Sequence, residues 1–129
     1  MDTIHFIGTV HSSLTKLIDC PLQENQEAPV VAISIDPTYR EALVGLKPGA
    51  KIILLTWLHK ADRNMLTTKP RNDPEAETAG VFATRSPDRP NPIGLHTAEI
   101  IEITDSGDIK ISKLEVLDGT PILDIKPVI

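Results

Sequence analysis

The residues with the most chemistry per unit length lie in Gly80–Gly94, GVFATRSPDRPNPIG. Arg85, Asp88, Arg89 and Asn91 fall within seven residues, interleaved with Pro87, Pro90 and Pro92. Each proline fixes its own φ and removes a donor, and each pushes the preceding residue toward extended geometry. The expected product is a stiff loop with little freedom left to lose on binding. Two guanidiniums on such a loop suit planar anions, carboxylate or phosphate. A solvated connection between strands would be stiff as well, but loops carrying several directional polar groups are often sites. Other chemistries find less support. The four histidines show no ligand spacing and Cys20 has no partner cysteine, so no metal site is expected. There is no GxSxG elbow, no Walker loop and no GxGxxG.

The elements that must position this loop are mostly strands. Thr3–Val10 reads as a first strand, interrupted at Gly8 by a bulge or a close approach. Ser12–Ala28 is polar, without period, and reads as a loop. Pro29–Ile35 reads as a buried strand. Asp36-Pro37 opens a short helix, with Asp36 as N-cap, Tyr39, Ala42, Leu43 and Leu46 on one face, and Gly45 near its end. Lys51–His59, KIILLTWLH, reads as a central strand covered on both faces. Lys60–Thr78 is long, polar and broken by prolines, which predicts a functional loop. Gly80–Thr84 reads as a strand leading into the proline loop. Ile93–Thr104 and Ile109–Val116 read as a hairpin across Asp105–Asp108, and a phase shift within the second predicts a bulge there. After the Asp118–Pro121 turn, Ile122–Lys126 is a last short strand. About seven strands, one short helix and no βαβ alternation predict a mainly β, single-domain β-barrel over residues 1–129 rather than a Rossmann fold.

Composition agrees. At 129 residues the chain can bury roughly two-thirds of its unfolded surface. Phe6, Tyr39, Trp57 and Phe82 are its only aromatics, so the core must be Ile, Val and Leu, which favours β structure. A single cysteine, no signal peptide and no apolar run of spanning length predict a cytoplasmic protein without a membrane. A net charge of −5 argues against a general nucleic-acid coat. Positive charge is concentrated only locally, where Lys60, Arg63, Lys69 and Arg71 face Asp62 alone.

ATRSPxRPNPIG, Trp57–Lys60, Asp118-Gly119-Thr120-Pro121 and Leu123–Pro127 together resemble the TrmO/TsaA-like family of tRNA methyltransferases. Their order and spacing fit over nearly the whole chain, in a short form without the family's C-terminal domain. The resemblance implies a single-sheeted barrel, S-adenosylmethionine as cofactor and tRNA as partner. It also implies a homodimer with the pocket near the subunit interface. The reaction implied is methyl transfer to the N6 nitrogen of threonylcarbamoyl-adenosine beside the anticodon, at position 37. The cofactor pocket would be lined by Arg89, Asn91, Pro92, Asp118, Gly119, Thr120, Pro121 and His59, with Gln23 from the loop after the first strand. As a hypothesis by analogy with Asn-Pro turns of unrelated adenine amino methyltransferases, the Asn91 side-chain oxygen and a carbonyl of the Arg89–Pro92 loop could accept hydrogen bonds from the acceptor nitrogen, with His59 as the alternative proton acceptor. Arg85, Lys60 and Arg63 would face the substrate, with Arg85 suited to the threonylcarbamoyl carboxylate. Each has a plainer reading. Asp118 could close its own turn, His59 could bond backbone, and Arg85 could pair with Asp88.

Overall fold

The computed structural model describes residues 2–12, 31–69, 73–112 and 114–129. Gln23, Pro21, Cys20 and Arg71 lie outside the described residues. The described strands are β1 (Gly8–His11), β2 (Val31–Ile35), β3 (Lys51–Trp57), β4 (Thr67–Thr68), β5 (Ala79–Gly80), β6 (Ile93–Ile103), β7 (Asp108–Ile111) and β8 (Pro121–Pro127). Six close a barrel in the order β1-β2-β7-β6-β3-β8, and β4 and β5 form a separate two-stranded ribbon. The expected barrel is present, with six strands rather than about seven.

Period-two alternation builds the core. Val10, Val31, Ile33, Ile35, Ile52, Leu54, Ala98, Ile100, Ile109, Ile111 and Ile122 point inward and are buried. Leu95, Thr97 and Glu99 occupy the opposite, exposed phase of β6. The apolar run of β3 does not mean that both of its faces are covered. Ile52, Leu54 and Thr56 are fully buried, whereas Ile53, Leu55 and Trp57 on the outer face are half-buried. A closed barrel has one interior. The outer row lies beside Ile93 and Leu95 of β6, which stay about half exposed.

Several further expectations need correction. The first strand begins at Gly8 rather than Thr3, although Ile7 already donates to the Ile122 carbonyl. The helix is a 3-10 helix, Pro37–Leu43, capped by Asp36. Tyr39, Leu43 and Leu46 pack on the core, but Ala42 faces solvent. The backbone N–H of Thr38 bonding Asp36 holds that carboxyl below the usual range, so the cap weakens only as pH falls through the lowered value. Gly45 follows the Val44 cap at φ +100, a backbone that L side chains rarely adopt. The bulge expected in the strand after the hairpin lies instead in its partner β6, between Ile100 and Glu102. β7 itself stops at Ile111, while Leu114 and Val116 remain buried beyond it. Finally, Gly80–Thr84 is not a strand. Ala79–Gly80 pairs with Thr67–Thr68, and Val81–Ala83 is a 3-10 turn. The long Lys60–Thr78 segment is therefore partly ordered by its own ribbon.

Topology places the chemistry. β3 and β6 are antiparallel with Trp57 opposite Ile93, and β8 is antiparallel to β3 with Thr56 opposite Ile122. β1 meets β8 with Thr9 opposite Pro121. The end of β1, the end of β3 and the starts of β6 and β8 consequently share one barrel end.

Closure of the barrel depends on Gly8. A Cβ there would fall inside contact distance of the Ser34 carbonyl oxygen and 3.2 Å from the Ile35 Cα. Gly8→Ala should lower stability by about 1–3 kcal/mol, since backbone cannot yield as a side chain can. Chemical denaturation reads this directly, and an unchanged midpoint would show that β1 shifts without cost.

Candidate functional site

Three segments leave the shared barrel end: the Leu58–Ala61 turn after β3, the Arg89–Pro92 loop before β6, and the Asp118–Pro121 turn before β8. Thr56 ties their bases together. It pairs with Gly94 on one side and Ile122 on the other, so the three strands share one rung. At strand spacing, the loops entering β6 and β8 start roughly 10 Å apart, on either side of β3.

The Asp118–Pro121 turn is fastened to β1. The Gly119 N–H donates to the Val10 carbonyl at 2.8 Å, and Val10 donates back to the Thr120 carbonyl at 2.9 Å. Gly119 has φ +83, the left-handed backbone this turn requires. The buried Thr120 hydroxyl donates to Leu117 O at 2.7 Å. These groups close the turn rather than face outward. Asp118 Oδ1 accepts from the Ser12 N–H at 3.0 Å, a link to the residue after β1 instead of a self-bonded turn, and among the described residues nothing bonds Oδ2.

Arg89 holds its own loop. Its Nε donates to Ser86 O at 2.8 Å, and Nη2 to Val81 O at 2.6 Å and Thr84 O at 2.5 Å. The amide and hydroxyl of Thr84 also donate to Val81 O. This convergence bends Val81–Ala83 into a turn where a strand was expected. Among the described residues, Nη1 is the part of Arg89 without a partner.

Arg63 clamps the neighbouring residues. It lies 5.0 Å over the Trp57 ring, donates through Nε to Pro90 O at 2.8 Å, and through Nη2 to Asn91 Oδ1 at 3.3 Å. A guanidinium only donates, so the Asn91 atom it meets is oxygen, and the amide NH2 is turned away. The Asn91 carbonyl accepts from Ile93 N and the Pro92 carbonyl from Leu58 N, both at 2.8 Å. Among the described residues, the Arg89 carbonyl is therefore the one in this loop with no donor on it. Asp88 accepts from the Asp62 N–H at 2.8 Å, so it is spent on the opposite wall rather than on Arg85.

His59 and Lys60 form the corners of the Leu58–Ala61 turn and are exposed, as is Arg85. None of the three makes a hydrogen bond or ion pair among the described residues. Beneath the loops lies a feature that motif reading missed, the buried Thr56 Oγ1–His96 Nε2 pair at 2.9 Å. Its signals were a threonine interrupting KIILL and a histidine in the inward phase of β6. Gly94 is small because of it, since a Cβ there would lie 2.7 Å from His96 Nε2. Among the described residues no three His, Cys, Asp or Glu side chains gather as a metal would need, and no helix is long and apolar enough to cross a membrane.

Removing the Arg89 fork should release the loop. Arg89→Ala should cost about 1–2 kcal/mol and speed hydrogen exchange at the amides of Val81, Thr84 and Ser86. Unchanged exchange would mean that the prolines alone hold the loop.

Comparison with known proteins identifies the family. The family described as the tRNA-methyltransferase O N-terminal domain matches residues 9–129. A probable S-adenosyl-L-methionine-binding protein of Methanothermobacter thermautotrophicus is 40% identical over 122 residues, covering 94% of this chain and 85% of that protein. An S-adenosyl-L-methionine-binding protein of Archaeoglobus fulgidus is 41% identical over 120 residues, covering 93% and 84%. The crystal structure of TrmO from Pseudomonas aeruginosa superposes with a TM-score of 0.76 at 31% identity, over all of this chain but only 55% of that one. On the family match and these identities, the chain belongs to the tRNA-methyltransferase O N-terminal domain family.

Proposed function

We propose that this chain binds S-adenosylmethionine and methylates the N6 nitrogen of threonylcarbamoyl-adenosine at position 37 of tRNA. The observation that carries this reading is the convergence of the Arg89–Pro92 loop, the His59 turn and the Asp118–Pro121 turn on one barrel end, in a chain of this family. Relatives named as S-adenosyl-L-methionine-binding proteins support the cofactor. The donor set fits such a ligand. Asp118 Oδ2 is free to accept from ribose hydroxyls or an ammonium, and Asn91 Nδ2 and Arg89 Nη1 are free to donate to a carboxylate. When bound, the cofactor supplies a sulfonium methyl open to in-line displacement.

What remains for the protein is alignment and one proton. Positioning alone can supply ~7–11 kcal/mol, and the clamped loops are built for it. The acceptor nitrogen is urea-like, with a delocalised lone pair, so its N–H must be held or removed. The second lone pair of Asn91 Oδ1 and the unoccupied Arg89 carbonyl are the acceptors in place, with the His59 imidazole as the alternative. The exposed, unpaired Arg85 guanidinium suits the threonylcarbamoyl carboxylate. Lys60 supplies a further cation at the same end, and Arg63 acts mainly by fixing Asn91. A tRNA substrate implies a cytoplasmic protein. The half-exposed outer row of Ile93 and Leu95, beside Trp57, supports a homodimer.

A second reading keeps the pocket but changes the acceptor. The relatives' names favour it, because they specify binding and no reaction.

Labelled S-adenosylmethionine with threonylcarbamoylated and unmodified tRNA separates the two. Incorporation into modified tRNA alone is expected. No incorporation, with calorimetric cofactor binding intact, would select the second reading. Asn91→Ala should lower turnover by roughly 10²–10⁴-fold. If Asn91→Ala and His59→Ala both keep full turnover, Asn91 does not hold the acceptor N–H and His59 does not take its proton. Arg85→Lys should lose discrimination between modified and unmodified tRNA, and unchanged discrimination would remove Arg85 from recognition.

A further inference from the structure

Phe82 is 85% exposed, far more than any other described aromatic. Its neighbours do not let it wander. The Val81 side chain before it is buried, and the Val81 N–H donates to Leu66 O at 2.9 Å. The Val81 carbonyl takes one bond from Arg89 and two from Thr84. A phenyl ring is thus projected into solvent from backbone pinned on its inner side. Three residues on, the same loop presents the uncommitted Arg85 guanidinium.

An exposed ring on pinned backbone, three residues from a cation with no partner among the described residues, is what an unpaired base in an anionic strand requires. Exposed Ala83 and Leu66 lie on the neighbouring backbone, so a second copy of this chain is one outcome of the test below, but the exposed Arg85 on the same loop favours an anionic strand over an apolar protein face. We infer that Phe82 is a stacking platform for an unpaired base of the anticodon loop, on the same loop as the arginine assigned to the substrate carboxylate. The inference rests on the tRNA reading above. It adds a substrate-positioning residue that no cofactor contact requires.

The test is fluorescence anisotropy with a threonylcarbamoylated anticodon stem–loop RNA, a stem-only duplex as control, and cofactor calorimetry on the same protein. Phe82→Ala should weaken stem–loop binding roughly 5- to 150-fold, leave duplex and cofactor binding unchanged, and raise KM for tRNA more than it lowers kcat. Phe82→Tyr should restore binding. Equal stem–loop affinity for Phe82→Ala and the parent protein overturns the platform while leaving the tRNA reading intact. A parent protein that binds no stem–loop removes that reading itself. A shift from dimer to monomer on sedimentation of Phe82→Ala assigns the ring to a subunit contact and also overturns the inference.

Discussion

The barrel closes through β8, which pairs with β1 on one edge and β3 on the other. β3 and β6 share seven residue pairs, whereas β1 and β8 share two, supplemented by the Gly119–Val10 and Val10–Thr120 bonds. The weakest seam of the barrel is therefore sewn by the turn that also lines the candidate site. Because β8 is common to both seams, its entry turn cannot lie anywhere but beside the end of β3. Closure also removes the free strand edges that an open sheet of this apolar composition would expose to aggregation.

A second constraint is the use of charge inside the loops. Arg89 and Arg63 each meet backbone carbonyls, Asp88 and Asp118 each receive a backbone amide, and these bonds fix loops that prolines have already stiffened. Most of the conspicuous charged residues of the motif are thus structural on their near side. Only their remaining atoms, with Arg85, His59 and Lys60, face outward. The arrangement suits a reaction that needs alignment more than covalent participation, because ordering has been completed before a ligand arrives.

Much of this was legible in the sequence. Strict alternation in β6 and the β-branched core announced strands, and the lack of βαβ alternation spoke against a Rossmann fold. The stretch Gly80–Thr84 misled because its small apolar residues fit a strand, while the bonds that bend it come from Arg89 and Thr84, whose partners are not encoded in local propensity. The run KIILLTW overstated burial because periodicity reports apolarity, not whether a second layer exists. Thr56 and His96 went unnoticed as a pair, since forty residues separate them and only the β3–β6 register brings them together. The roles of Arg63 and Asp88 as clamps were hidden for the same reason.

The long excursion from Leu58 to Pro92 begins and ends on adjacent strands, and the Leu58–Pro92 bond closes its neck. Topologically it is an elaborated hairpin connection, and the barrel needs only its two ends. Loop-closure entropy changes slowly with length, by about 0.6 kcal/mol per doubling. The excursion is thus an exchangeable cassette. Its middle can be lengthened, shortened or rewritten at little cost in chain entropy, while the neck and the Asp118–Pro121 turn stay fixed to the barrel.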